Sequence, residues 1–221
     1  MTAASFRTLI ISIIPFLLAI SVHELAHGYA AYKKGDYTAK MLGRLTLNPL
    51  RHLDPLGSVL VPILLAMSGA GVIFGWAKPV PINAFNFKDP KKDMVLVSFA
   101  GPLSNFLLAA ALALVLRVLL WFPGPELLMG SPVGQPLAAM LLMGVRVSIY
   151  LGVFNLFPVH PLDGSHILEG LLPTEPSKAY SRLSQYGPIF LIVLLFTGVL
   201  QAITYPVYAF IFGIIRGIFG F

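Results

Sequence analysis

"LIISIIPFLLAISVHELAHGYAAY" runs from Leu9 to Tyr32, 24 residues without a lysine, arginine or aspartate. About 20 predominantly apolar residues are enough for a helix to cross the hydrocarbon core of a bilayer, so this stretch can span. Its second half nevertheless carries His23, Glu24 and His27. Ionisable groups in hydrocarbon are costly, and where they occur they have a task and a partner. The remaining sequence has to supply both.

Of the 221 residues, 57% are hydrophobic and 11% charged, and the mean hydropathy is +0.84. A soluble domain carries about 25% charged residues; less than half that share leaves too little polar surface for water. The chain reads as an all-α polytopic membrane protein, a single domain over residues 1–221 with about five to six membrane helices. The first apolar run is longer than a signal-peptide core and no small-residue cleavage site follows it, so no cleavable signal is expected. The absence of cysteine excludes disulfides and thiolate metal sites. The net charge of +6 comes with no basic stripe or RNA-binding motif. Nucleic acid is therefore set aside as a partner, and the charge is assigned to cytoplasmic loops facing a lipid bilayer.

Five apolar stretches stand out: Leu9–Tyr32, Leu56–Phe74, Met94–Phe122, Leu137–Leu172 with proline breaks, and Tyr186–Phe221 with a weak point near Pro206. The last has room for two helices, or for one span and an interfacial piece. Leu42, Leu45 and Leu47 among polar neighbours in Met41–Leu47 hint at a short strand. The prolines of Gly75–Phe87 disfavour a helix and suit a hairpin or extended edge. Asp54-Pro55 reads as a helix N-cap followed by proline at the first helical position. Leu56–Phe74 is weakened as a helix by Pro62, Gly69 and Gly71. It is flanked on both sides by basic loops (Lys33, Lys34, Lys40, Arg44 and Arg51 before; Lys78, Lys88, Lys91 and Lys92 after), whereas Pro123–Pro136 has Glu126 and no Lys or Arg. If positive loops are cytoplasmic, both flanks lie on one side and the stretch is re-entrant.

His23 and His27 are four apart, which on a helix puts them on one face about 6 Å apart at Cβ. Two imidazoles so placed can converge on one ion, and His-Glu-x-x-His is the arrangement of zinc metallopeptidases, with the glutamate as general base. The plainer alternative is a buried proton relay or interhelical hydrogen-bond network. A catalytic zinc site needs a third protein ligand. "FNLFPVHPLDGSHILEG" (Phe154–Gly170) is the other ionisable cluster set in an apolar stretch, and within it Asp163 is the candidate. Asp163 could equally cap the helix that starts there, and its position leaves both readings open. To meet the histidines at one depth, its stretch must run parallel to the first, so an odd number of crossings must separate them. Met94–Phe122 supplies one, and a re-entrant Leu56–Phe74 adds none. Counting about 1.5 Å per helical residue, His27 lies roughly 9 Å and His23 roughly 15 Å from Lys33. The site then sits inside the bilayer, nearer its cytoplasmic face.

At these residues the chain resembles the site-2 protease family of intramembrane zinc metallopeptidases. The resemblance rests on "HELAH" (His23–His27), "AGPLSN" (Ala100–Asn105) and "NLFPVHPLDG" (Asn155–Gly164), in the family's order and approximate spacing. It implies one Zn2+ per chain on His23, His27 and Asp163, with Glu24 as base. Asn155 matches an asparagine proposed to stabilise substrate or oxyanion. The implied activity is cleavage of transmembrane segments of single-span membrane proteins by a multi-pass protein of the cell membrane. His160 stands where the family often has proline, and no PDZ or CBS domain is recognisable. A metal-ion transporter, or a proteolytically inactive helix-binding homologue, is the rival reading. The intact Glu24 and the concentration of ligands in one place argue against both. Gly101, Pro102, Ser104 and Asn105 are expected to serve close helix packing, with Asn105 bridging to a neighbouring helix; His52 is expected in a cytoplasmic loop, and His160 and His166 at the surface of the Asp163 turn, with orientation of that ligand as the alternative. Arg146, mid-stretch, needs an internal carboxylate or carbonyl, or must snorkel.

Overall fold

A computed structural model describes residues 3–60, 64, 76–122 and 124–221, with the side chains of 3–10, 58, 59 and 127 left aside. Nine α-helices are found among them: α1 (Ala3–Lys33), α2 (Thr38–Met41), α3 (Pro90–Trp121), α4 (Pro125–Gly130), α5 (Gly134–Asn155), α6 (Asp163–Leu171), α7 (Thr174–Arg182), α8 (Gly187–Phe196) and α9 (Val199–Phe219). Among the described residues five segments are long and apolar enough to cross a membrane: Ile11–Lys33, Pro90–Trp121, Gly134–Asn155, Thr174–Phe196 and Val199–Phe219. This is the all-α polytopic architecture that the composition requires. Large apolar side chains such as Leu107, Phe210 and Ile218 point outward, where lipid replaces water as the solvent.

Helices α1, α3 and α5 pack against one another, and α9 lies against α5 and α3. Their seam is made of small residues. On α3, Val97, Gly101, Asn105, Ala109 and Ala113 recur every four positions and are all buried; on α5, Gly144, Ser148 and Gly152 do the same. Four-residue spacing keeps one face toward the neighbour, and small side chains let backbones approach where lipid tails compete equally for apolar contact. Ala109, Ala113, Val145, Ile149, Val153 and Ile215 form the resulting core. Arg146 lies over the Phe212 ring, 5.6 Å from its centroid, so α9 supplies its partner as a cation–π contact.

The connections between α1 and α3 are tied together at one end of the bundle. Lys34 pairs with Asp93 at 2.9 Å. Buried Asp36 accepts from Thr38 N and Oγ1, Asn83 N and Asn86 Nδ2 at 2.5–3.1 Å. Trp76 N donates to Gly57 O at 3.1 Å and Lys78 N to His52 O at 2.8 Å. The two flanks of Leu56–Phe74 therefore meet at one level, as the charge pattern demands, while most of that stretch lies outside the described residues. Asp54 Oδ1 accepts from Leu56 N and Gly57 N, capping the π-helical turn Pro55–Leu60.

Two local expectations are corrected. Met41–Leu47 is not a strand: Asp36 nucleates the α2 turn through Thr38, and Gly43 at φ +63° reverses the chain immediately afterwards. Of the hairpin and the extended edge that suit Gly75–Phe87, the hairpin is not found among its described residues, Trp76–Phe87. From Trp76 to Asn83 the chain is extended but pairs with no strand, Pro79 and Pro81 having no N–H to give, and Ala84–Asn86 is a 3-10 turn. Among the described residues there is no β-strand. His52 lies in the turn after Pro49–Arg51, a loop position as expected, and is fully buried there with its Nε2 2.8 Å from Thr46 O. The last apolar stretch divides into α8 and α9 at Gly198, whose φ of +75° suits a residue without a side chain.

Candidate active site

His23 and His27 lie on one face of α1, both buried, with their Nε2 atoms 3.0 Å apart. Asp163 closes the triangle, Oδ2 at 3.1 Å from His23 Nε2 and Oδ1 at 3.2 Å from His27 Nε2. Its position follows from a tight turn after α5. Leu162 is the extended residue before α6 and makes no side-chain cap, and the Ser165 N–H and hydroxyl both donate to Leu162 O. Gly164 packs so closely on the end of α5 that a Cβ there would sit 2.7 Å from Phe157 O and closer still to Leu156 O. Asp163 is thus the first helical residue, its carboxylate facing the imidazoles instead of capping its own helix.

The second nitrogen of each imidazole is fixed from α3. His27 Nδ1 is 2.8 Å from Val97 O; a carbonyl only accepts, so Nδ1 carries the proton and Nε2 presents a lone pair. His23 Nδ1 is 3.0 Å from the Asn105 amide nitrogen, while Asn105 Oδ1 is buried without a partner. A half-turn of the amide places Oδ1 on the His23 Nδ1–H and satisfies both groups. Two ring lone pairs and a carboxylate then point at one another across about 3 Å, an arrangement that a cation between them would satisfy. Asp163 Oδ2 is buried and receives no hydrogen bond. Tetrahedral ligands at about 2.0–2.1 Å from zinc are about 3.3 Å apart, close to the observed edges. The donors fit a metal ion.

Gly101 makes room for this group: a Cβ there would lie 2.5 Å from His27 Cε1 and 2.7 Å from His23 Cε1, and nearer still to His27 Nε2. Val97, Gly101 and Asn105, successive members of the α3 stripe, are therefore the wall of the site. Glu24 is buried beside the pair, and its Oε2 accepts from Val80 N–H at 2.7 Å. Arg44 holds that extended segment in place, donating from Nη2 to the carbonyls of Lys78 and Pro79 at 2.8 and 3.3 Å. Asn155, at the end of α5, donates from Nδ2 to Leu151 O at 2.9 Å, the hydrogen bond of a side chain folded back on its own helix.

Sequence reasoning singles out the three donors and Glu24 and expects Asn105 to bridge to a neighbouring helix, as it does to His23, but misses the support from Val97 and Val80. Asn105 carried a signal, because a polar residue among small ones in an apolar span needs a partner. The two backbone groups carried none.

A buried His-Glu-x-x-His pair closed by a carboxylate from a distant helix is the donor arrangement of a metallohydrolase. The family model for peptidase family M50 matches residues 11–132 and 126–195, and the chain belongs to that family. It is 41% identical over 194 residues to YwhC of Bacillus subtilis, covering 88% of this chain and 84% of that protein. It is 30% identical over 197 residues to Rip2 of Mycolicibacterium smegmatis, covering 87% and 69%. To the zinc metalloprotease MJ0392 of Methanocaldococcus jannaschii it is 28% identical over 193 residues, covering 84% and 42%. No solved structure matches the chain significantly.

Proposed function

We propose that the chain is an intramembrane zinc metalloendopeptidase that cleaves transmembrane segments of single-span proteins in the cell membrane, with its site nearer the cytoplasmic face. The observation that carries this reading is the triangle of His23, His27 and Asp163 donor atoms, with edges of 3.0–3.2 Å. The naming of MJ0392 as a zinc metalloprotease supports the choice of zinc. His23, His27 and Asp163 would hold the ion, which when bound lowers the pKa of water toward about 7 and polarises a carbonyl.

Glu24 is the general base: its carboxylate takes a proton from the attacking water and returns it to the leaving amine. The Val80 N–H fixes one oxygen of that carboxylate. Asn155 is the candidate oxyanion donor, an interaction that can contribute about 3 kcal/mol; to serve, it must leave Leu151 O. A substrate helix hides its peptide bonds in its own hydrogen bonds, so it must unwind before cleavage. Trp76–Asn83, already extended and joined to Glu24 through Val80, is positioned to hold the unwound strand by backbone pairing.

Reconstitution with a single-span substrate in proteoliposomes tests this. Wild type is expected to cleave, and Glu24→Gln to retain zinc while losing cleavage. Metal-loaded wild type that moves ions across the vesicle and leaves the substrate intact would refute the reading in favour of a transporter.

A further inference from the structure

A second set of ligating side chains gathers on the other side of the Asp163 turn. His160 comes from the loop before α6, and His166 and Glu169 lie three apart on α6 itself. Residues three apart share a helix face but drift by about 60° at each step of a 3.6-residue turn. The row Asp163, His166, Glu169 therefore winds away from His23 and His27 as it descends. His160 folds back over its later members. Its Nε2 is 3.7 Å from Glu169 Oε2, its ring centroid is 5.3 Å from that of His166 in an edge-on arrangement, and one donor atom from each of the three lies within 4.8 Å of the others.

We propose that His160, His166 and Glu169 form a second binding site for a zinc-class divalent cation, separate from the His23–His27–Asp163 site. Two imidazoles and one carboxylate are a recurrent zinc donor set, and tetrahedral donors lie about 3.3 Å apart. The His160–Glu169 separation of 3.7 Å is near that value, and His166 offers a ring nitrogen within 4.8 Å of both. The site is prepared in two further ways. Tyr180 packs its ring against His160, centroids 5.2 Å apart, and donates its hydroxyl to Pro158 O at 2.9 Å, so the loop bearing His160 is held from α7. Glu169 also borders a shallow surface cavity of about 360 Å³ lined by Ser177, Lys178, Ser181 and Arg182, so its carboxylate lies at the polar surface within reach of water.

The position gives the ion a role. It ties the loop before α6 to α6 on both sides of Asp163, so the ligand carboxylate is carried on a cross-linked turn. Purified full-length protein in detergent, equilibrated in a fixed micromolar zinc buffer and separated by gel filtration, is assayed for zinc per chain by mass spectrometry. Wild type is expected to hold two ions. His166→Ala and the near-isosteric Glu169→Gln are each expected to hold one and to lose the zinc-dependent part of the melting-temperature rise that the second ion produces. His23→Ala is also expected to hold one. One ion in wild type, abolished by His23→Ala and kept in both His166→Ala and Glu169→Gln, overturns the second site and leaves the peptidase reading standing. Two ions kept by His23→Ala and reduced to one by Glu169→Gln indicts the peptidase site instead.

Discussion

Replacing Gly101 by alanine inserts a methyl carbon where α3 meets the two imidazoles of α1. The new carbon would stand 2.5 Å from His27 Cε1 and 2.7 Å from His23 Cε1, whereas ordinary contact begins near 3.4 Å. Either the rings retreat by about 0.7 Å at His23 and about 1.1 Å at His27, where Nε2 is the nearest atom, or α3 moves outward by as much, and close-packed interiors resist both. Disturbing the support of metal ligands costs about 10–100-fold in affinity. Because two of the three donors shift here, the upper end is expected, about 100-fold or about 2.7 kcal/mol. Overpacking adds a loss of about 1–3 kcal/mol in stability. The assay is chelator competition for zinc in the His166→Ala background, so that one ion is counted. Gly213→Ala on α9, where a Cβ meets nothing within 4 Å, is the control and should leave affinity unchanged. A Gly101→Ala protein that binds zinc as tightly as this control would refute the close approach of α3 to the imidazoles.

Asn105→Ala removes the group that fixes the His23 tautomer and should weaken zinc binding by about tenfold in the same competition; unchanged affinity would mean that the amide contact does no orienting. The Asp36 knot predicts a pH dependence. Burial raises the cost of its charge, yet the bonds from Thr38, Asn83 and Asn86 outweigh that cost and hold the carboxyl below the usual range. Its contribution to stability is therefore complete above the unfolded value of about 3.9 and is lost as pH falls through the lower folded value. Hydrogen bonds to a charged group contribute about 1.5–3 kcal/mol, so Asp36→Ala should lower the melting temperature at neutral pH and flatten the acid limb of the melting curve. An acid limb unchanged in this variant would remove Asp36 as its cause.

How much of this could be read from the chain alone depends on which residues are asked. His23, Glu24 and His27 were legible because three polar groups in one apolar span at helical spacing have few other uses. Asp163 was legible only with the membrane as a ruler: crossing parity brought it to the right side, and the turn at Gly164 shows why it does not cap its helix. Gly101 looked like a packing residue and Asn105 like a bridge to an unspecified helix, because nothing in linear spacing says that α3 turns that stripe toward His23 and His27. The extended character of Trp76–Asn83 was visible in its prolines, but its pairing with Glu24 through a backbone N–H was not. Alternation in Met41–Leu47 misled because Asp36, five residues upstream, had already committed the chain to a helical turn. His160, His166 and Glu169 converge only once the α5–α6 loop folds back.

The most direct test of the account is the zinc content of Asp163→Ala, in the His166→Ala background, beside its parent. If the ion is held by two imidazoles from α1 and the carboxylate that begins α6, the parent should bind one zinc per chain and the variant should lose it at the same free-zinc level, with circular dichroism showing the helices intact. Full retention of zinc at parental affinity without that carboxylate would contradict the account at its centre.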